Sequence, residues 1–175
     1  MANEQTDLAQ YIRDIPDWPK PGILFRDITP LLADPHAFPT TVDALCAPFF
    51  GAGVQYVAAV EARGFIFGSA VAARLGAGFI PVRKKGKLPG ATEVASYELE
   101  YGVDTLEMHR DAIPTGAKVL MVDDLLATGG TMRAACDLME KVGAEVVGIA
   151  FVIELTDLKG RDRLAPHPLH VLITY

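Results

Sequence analysis

The chain has 175 residues, half of them hydrophobic, with a formal net charge of −6 and two cysteines. That length suits one domain, 1–175, whose core is large enough to hold without covalent or metal staples. The acidic balance argues against a nucleic-acid or anionic-membrane partner, since both favour a basic surface, and no apolar run approaches the ~20 residues that cross a bilayer.

In chain order, the start MANEQTDLAQ lacks a charged stretch followed by an apolar one, so no secretory signal is predicted. Residues 14–31, DIPDWPKPGILFRDITPL, carry four prolines and are predicted to form an irregular cover. Asp34-Pro35 reads as a cap plus first-turn proline, opening a helix that ends near Gly51. Val54–Val60 is a buried strand, Glu61–Gly64 a turn, Phe65–Leu75 a helix stopped by Gly76 and Gly78, and Phe79–Val82 a short strand. Residues 95–108, ASYELEYGVDTLEM, alternate around Gly102 and are predicted to form two antiparallel strands projecting from the sheet. Lys118–Val122 is another strand, Asp123–Gly130 a loop, and Thr131–Val142 an amphipathic helix ended by Gly143. Glu145–Leu155, almost wholly apolar, is a central strand, and Leu169–Thr174 supplies a last one. Strands alternating with helices predict an α/β fold with a central, mostly parallel sheet flanked by helices. Ligands of such sheets bind beyond the carboxyl ends of the strands, which directs attention to the residues after Val60, Val82, Val122 and Ile153.

One of those segments is rich in chemistry. In VLMVDDLLATGGT (119–131) a buried strand runs into Asp123 and Asp124, then into a glycine-threonine turn before a helix. Gly129 and Gly130 let backbone N–H groups approach an anion closely. Thr128 and Thr131 add hydroxyls, Ala127 keeps the turn small, and the helix N-terminus adds the positive end of its dipole. Paired carboxylates beside a phosphate cradle make sense if a sugar diol or a divalent cation lies between. Phosphoribosyl pyrophosphate, with its 5-phosphate, ribose diol and magnesium-bound diphosphate, satisfies every part. A strand–turn–helix with ordinary capping explains only fragments of this run. No GxxxxGK[ST] is present, and Gly51-Ala52-Gly53 precedes a strand and has Tyr56 where a dinucleotide fingerprint needs its third glycine.

The chain resembles the adenine phosphoribosyltransferases of the type I phosphoribosyltransferase family. Besides the run above, FRDITPLL (25–32), EARGFIFG (61–68), VRKKGKLPG (82–90), SYELEYG (96–102) and ELTDLKGRDRL (154–164) carry the likeness in the family's order. The resemblance implies a type I core with an N-terminal hood over about 1–33 and a flexible antiparallel lid over about 84–110. It implies a transferase of purine salvage that makes AMP and pyrophosphate from adenine and phosphoribosyl pyrophosphate. Ala127 and Gly130 stand where 6-oxopurine relatives carry an aspartate and a lysine, so the acid that meets the base must come from elsewhere. By resemblance this is Glu100, acting on the base as general acid/base or electrostatically, with Tyr101 beside it in the lid. Arg63 and Gly64, in the Glu61–Gly64 loop, and Arg83, Lys84 and Lys87 are expected to meet pyrophosphate. Four cations in five positions, 83–87, are otherwise an ordinary solvated run. Phe25, Arg26 and Leu155 are expected around adenine. A homodimer with shared sites is implied, and magnesium bound mainly through the substrate is the expected cofactor.

His167 and His170, separated by Pro168-Leu169, have no acidic or cysteine partner nearby, and His36 and His109 are isolated from the other histidines and the cysteines, so zinc is not expected. Two isolated thiols predict a reducing, cytoplasmic setting. A non-catalytic sensor of the same ligand would need an effector surface, such as an added basic DNA-binding domain, and about one domain's length with an acidic balance argues against it.

Overall fold

A computed structural model describes residues 7–99 and 102–175. Its centre is a seven-stranded sheet. Five strands are mutually parallel: Gly78–Lys84 (β4), Tyr56–Val60 (β3), Lys118–Leu126 (β7), Glu145–Glu154 (β8) and Leu169–Thr174 (β9), side by side in that order. Thr92–Leu99 (β5) and Gly102–His109 (β6) form an antiparallel hairpin whose second strand joins the edge of β4.

Period-two alternation along β3, β7 and β8 divides the core between two faces. Val57, Leu120, Val122, Ala150 and Val152 face helices Ala37–Cys46 (α2) and Arg63–Leu75 (α3), whose Leu45, Phe67 and Val71 are wholly buried. Ala58, Val119, Met121, Ile149 and Phe151 face helix Gly130–Lys141 (α4), which contributes Ala135, Leu138 and Met139. Both helices stop where the sequence demands, α3 at Gly76 (φ +69°) and α4 just before Gly143 (φ +75°).

The connection β3–α3–β4 runs outward on one face, and β7–α4–β8 runs the opposite way on the other. β3 and β7 are nevertheless neighbours, paired Tyr56↔Val119 to Ala59↔Val122. Their carboxyl ends therefore form a topological switch point, where diverging loops leave a crevice.

Four expectations need correction. β7 runs on through Asp123 and Asp124 to Leu126, because β8 is long enough to pair with it there (Asp123↔Phe151, Leu125↔Ile153). The paired acids are thus strand residues. Residues 14–31 are more regular than their prolines imply. Arg13–Ile15 (β1) pairs with Phe25–Asp27 (β2), Pro16, Pro19 and Pro21 fall in the loop between them, and Pro30 is tolerated in the first turn of helix Thr29–Ala33 (α1). The β5–β6 hairpin does not simply project. Its base is tied to β4 (Arg83↔Glu107, Lys84↔Leu106), and Lys141 of α4 donates to the carbonyl of Val94 at 2.6 Å. Finally, α2 begins at Ala37, while the Asp34 carboxylate accepts the amides of His36 (2.9 Å) and Ala37 (2.8 Å), so the cap stands with a later start.

Candidate active site

The crevice at the switch point is a cleft of about 490 Å³. One wall is Val60–Arg63, the exit of β3, and the other is Asp123–Met132, the end of β7 and the turn into α4. Arg63, Asp123, Asp124, Ala127, Thr128, Gly129, Gly130 and Thr131 are thereby brought together.

Gly129 occupies the N-cap of α4 in the left-handed region (φ +79°). The first helical hydrogen bond runs from the Arg133 amide to the Gly129 carbonyl at 2.9 Å, so the amides before Arg133 have no acceptor within the helix. Such a terminus, with the hydroxyls of Thr128 and Thr131 beside it, is an anion cradle of neutral donors. Its position is fixed from behind by a backbone-to-backbone contact. A Cβ on Gly129 would lie 2.5 Å from the carbonyl oxygen of Gly160, and one on Gly160 would strike the carbonyl of Ala127 and lie 3.0 Å from the Gly129 nitrogen. Gly160 opens the short 3-10 segment Gly160–Leu164 that follows β8. Sequence reasoning assigned it nothing, and its only signal there is a glycine inside GRDRL.

The two aspartates differ. Asp124 is buried, and its carboxylate pairs with the Arg63 guanidinium at 2.6 Å. Burial still pushes its pKa up, against the pull of Arg63. Asp123 has no such partner. Burial first, and then the neighbouring Asp124 charge, push its carboxyl well above the usual carboxylate range. Its Oδ1 accepts the Asp124 amide at 2.9 Å and would lie 2.7 Å from any Cβ on Gly64, so that position has no room for a side chain. Two under-compensated carboxylates facing a cleft suit a ligand that brings hydroxyl donors or a cation.

Beyond Arg63 the peptide bond Glu61–Ala62 is cis. The Glu61 carboxylate turns toward the end of β4, accepting the Lys84 amide at 2.8 Å and pairing with Arg83 Nη2 at 3.2 Å. Lys84 reaches across to Asp104 of β6 at 3.1 Å, and Asp104 also accepts from Tyr97 at 3.3 Å. The Lys84 ammonium holds the Asp104 carboxyl below its ordinary range. The basic cluster is therefore not a free solvated run. Acids just after β3 and on β6 hold Arg83 and Lys84, and Lys87 lies in the turn after them. Glu61 and Asp104 were missed as partners because they are distant in sequence and meet only through sheet order.

The residues expected around the base stand to one side and, among the described residues, do not line the cleft itself. The Phe25 ring lies 5.6 Å from the Arg63 guanidinium and packs edge-on against Trp18 at 4.4 Å. Arg26 is committed to Asp14 (2.5 Å) and stacks over Tyr175 at 3.6 Å. Leu155 donates its amide to the Leu126 carbonyl at 2.9 Å, which ties the exit of β8 to that of β7. Glu100 and Tyr101 lie outside the described residues. No three or more His, Cys, Asp or Glu side chains converge on a metal-sized point among the described residues. Among the described residues the carboxylates that line the cleft are Asp123, Asp124 and Glu61, the last engaged by Arg83 and the Lys84 amide, which leaves the paired aspartates as a hard and incomplete oxygen set of the kind that fits magnesium held largely by substrate and water.

Residues 50–169 match the family model described as a phosphoribosyl transferase domain. An adenine phosphoribosyltransferase of Thermobifida fusca is 56% identical over 169 residues, covering 97% of this chain and 96% of that protein. The crystal structure of the adenine phosphoribosyltransferase from Rhodothermus marinus superposes with a TM-score of 0.92 at 52% identity, covering 98% of each chain. That of the Saccharomyces cerevisiae enzyme, complexed with D-2,5-dideoxy-2,5-imino-altritol 1,6-bisphosphate and adenine, gives 0.92 at 41% identity over 98% of this chain and 99% of the other. With paired acids, glycine cradle and switch-point cleft all in place, the chain belongs to the adenine phosphoribosyltransferases, within the type I phosphoribosyltransferase fold.

Proposed function

We propose that this chain makes AMP and pyrophosphate from adenine and phosphoribosyl pyrophosphate, as an enzyme of purine salvage. The observation that carries the reading is the pair Asp123–Asp124 set directly before the Ala127–Thr131 cradle in one cleft. The 5-phosphate seats on the cradle, and the aspartates hold the ribose diol. Positive charge that builds on the ribose ring as the C1–O bond opens is stabilised by their negative field. Arg63, Gly64, Arg83, Lys84 and Lys87 receive the pyrophosphate, which leaves with several negative charges. Adenine lies near Phe25, Arg26 and Leu155 and attacks C1 through N9. Glu100 supports the base as acid/base or by charge, and Tyr101 closes with it in a lid over about 84–110 that keeps water from the activated sugar. The hood, about 1–33, covers the adenine.

Magnesium bound through the substrate's oxygens supplies charge neutralisation of the diphosphate. The under-compensated aspartates support that assignment. The resemblance supports a homodimer in which the basic segment reaches the neighbouring subunit's site. Cys46 and Cys136 are buried and unpaired, their thiols pushed up to about 11 and about 12 by burial, which suits a reducing, cytoplasmic setting. No helix among the described residues is long and apolar enough to cross a membrane.

The test is incubation with phosphoribosyl pyrophosphate, magnesium and a panel of bases, following pyrophosphate release. AMP formed from adenine alone is expected. Product from guanine or hypoxanthine instead would overturn the assignment of Ala127 and Gly130 to adenine specificity.

A further inference from the structure

A segment with four cations in five positions repels itself, so something must hold Arg83–Lys87 in shape. Glu61 grips one end, at Arg83 and the Lys84 amide. The other end is held by Glu107 of β6, only 4% exposed. Its Oε1 accepts the amides of Lys87 at 2.9 Å and Leu88 at 2.8 Å, and its Oε2 lies 3.4 Å from the Thr92 hydroxyl. Among the described residues Glu107 forms no ion pair, so its compensation comes from backbone and hydroxyl donors. A buried carboxylate held this way carries a large desolvation cost. A solvated loop would have no need of it.

We propose that Glu107 is a positioning residue for pyrophosphate: by binding the amides of Lys87 and Leu88 it presets the basic turn so that its cationic side chains are already gathered when a diphosphate arrives. This rests on the reading of Arg83, Lys84 and Lys87 as pyrophosphate-binding. Gathering like charges beforehand removes an ordering cost that binding would otherwise carry. Among the described residues Glu107 itself makes no hydrogen bond or ion pair with the cradle at Ala127–Thr131, which the hairpin meets through Tyr97 at Thr131 instead, so the 5-phosphate end of the substrate does not depend on the Glu107 carboxylate directly.

The test uses the full chain with magnesium and compares two ligands by calorimetry, pyrophosphate and AMP. Glu107→Gln keeps the size and one acceptor oxygen but removes the carboxylate charge, so the charge-assisted bonds from the Lys87 and Leu88 amides become weaker neutral ones and an amide donor faces Thr92. Pyrophosphate should bind about ten-fold more weakly or worse, while AMP affinity is unchanged. Gly86→Ala provides a second route to the same turn. Gly86 is at φ +85° and an added Cβ there meets nothing within 4 Å, so only backbone conformation is perturbed. The same selective loss, smaller in size, is expected, and this variant decides the matter if Glu107→Gln does not fold. Equal weakening of both ligands, or of neither, overturns the role of Glu107. Failure of the unaltered chain to bind pyrophosphate would instead overturn the underlying reading of the basic cluster.

Discussion

Replacing Asp123 with asparagine should make the protein more stable and nearly inactive. Asp123 and Asp124 are consecutive carboxylates at the end of β7, and only Asp124 has a cation against it, Arg63 at 2.6 Å. Two like charges about 4 Å apart repel by about 4 kcal/mol at an effective dielectric constant of about 20, and the guanidinium offsets much of this. A net relief of about 1 kcal/mol corresponds to a Tm rise of about 2–4 °C for a chain this long. The asparagine carbonyl still accepts the Asp124 amide, so no backbone hydrogen bond is lost. The sign follows from linkage. Because the folded pKa of Asp123 is raised, its contribution is fully present below the unfolded value and is lost as pH rises through the folded one. The Tm difference between Asp123→Asn and the unaltered chain should therefore be largest at neutral pH and close as pH falls toward the ordinary carboxylate range. Loss of a charge-assisted bond to the diol should lower kcat/KM by about 10–100-fold. Calorimetric melting across pH, with an AMP-forming assay alongside, reads both effects. A lower Tm at neutral pH, or undiminished activity, would refute the electrostatic account of the pair.

Gly160→Ala should weaken AMP binding, because the new Cβ meets Ala127, Leu126 and Gly129 and displaces the cradle at an overpacking cost of about 1–3 kcal/mol. Titration with AMP checks this, and unaltered affinity would count against it. Glu61, Asp104 and Glu107 have depressed folded pKa values: burial is outweighed by the Lys84 amide and Arg83 for Glu61 and by backbone amides and the Thr92 hydroxyl for Glu107, and for Asp104 the Lys84 pair dominates. Their stabilisation is present above the unfolded values and lost as pH falls through the folded ones, so hydrogen exchange in β5 and β6, measured relative to the intrinsic rate at each pH, should accelerate below about pH 4. An unchanged exchange rate there would show that these carboxylates do not anchor the hairpin. Glu100→Gln should lose about 10²–10⁴-fold in turnover while still binding phosphoribosyl pyrophosphate, and intact turnover would remove Glu100 from the chemistry.

Strand–helix alternation and the VLMVDDLLATGGT run are local signals, so sheet, cleft and cradle were readable from residues alone. The length of β7 was not, because Asp123–Leu126 looks like a loop until β8 supplies partners such as Phe151 and Ile153. Glu107 lies in an alternating strand and reads as a solvated acid. Its burial arises only when β6 pairs with β4 and the turn after Lys84 folds over it. Nothing in the sequence names the partners of Arg26, whose guanidinium meets Asp14 and Tyr175 only once β1 and β2 pair. In each case the missing information is which distant segment lies alongside, and short sequence windows do not contain it.

On the proposed reading the phosphate cradle and the basic segment meet anions by different physics. At Thr128–Thr131 the donors are neutral amides and hydroxyls held at fixed geometry, whereas the Arg83–Lys87 segment offers full charges on partly exposed side chains. Dissolved salt screens the second far more than the first. Rising ionic strength should loosen the protein's hold on a leaving diphosphate while sparing its grip on a nucleotide, so the balance between the two products at the site is set partly by the surrounding electrolyte.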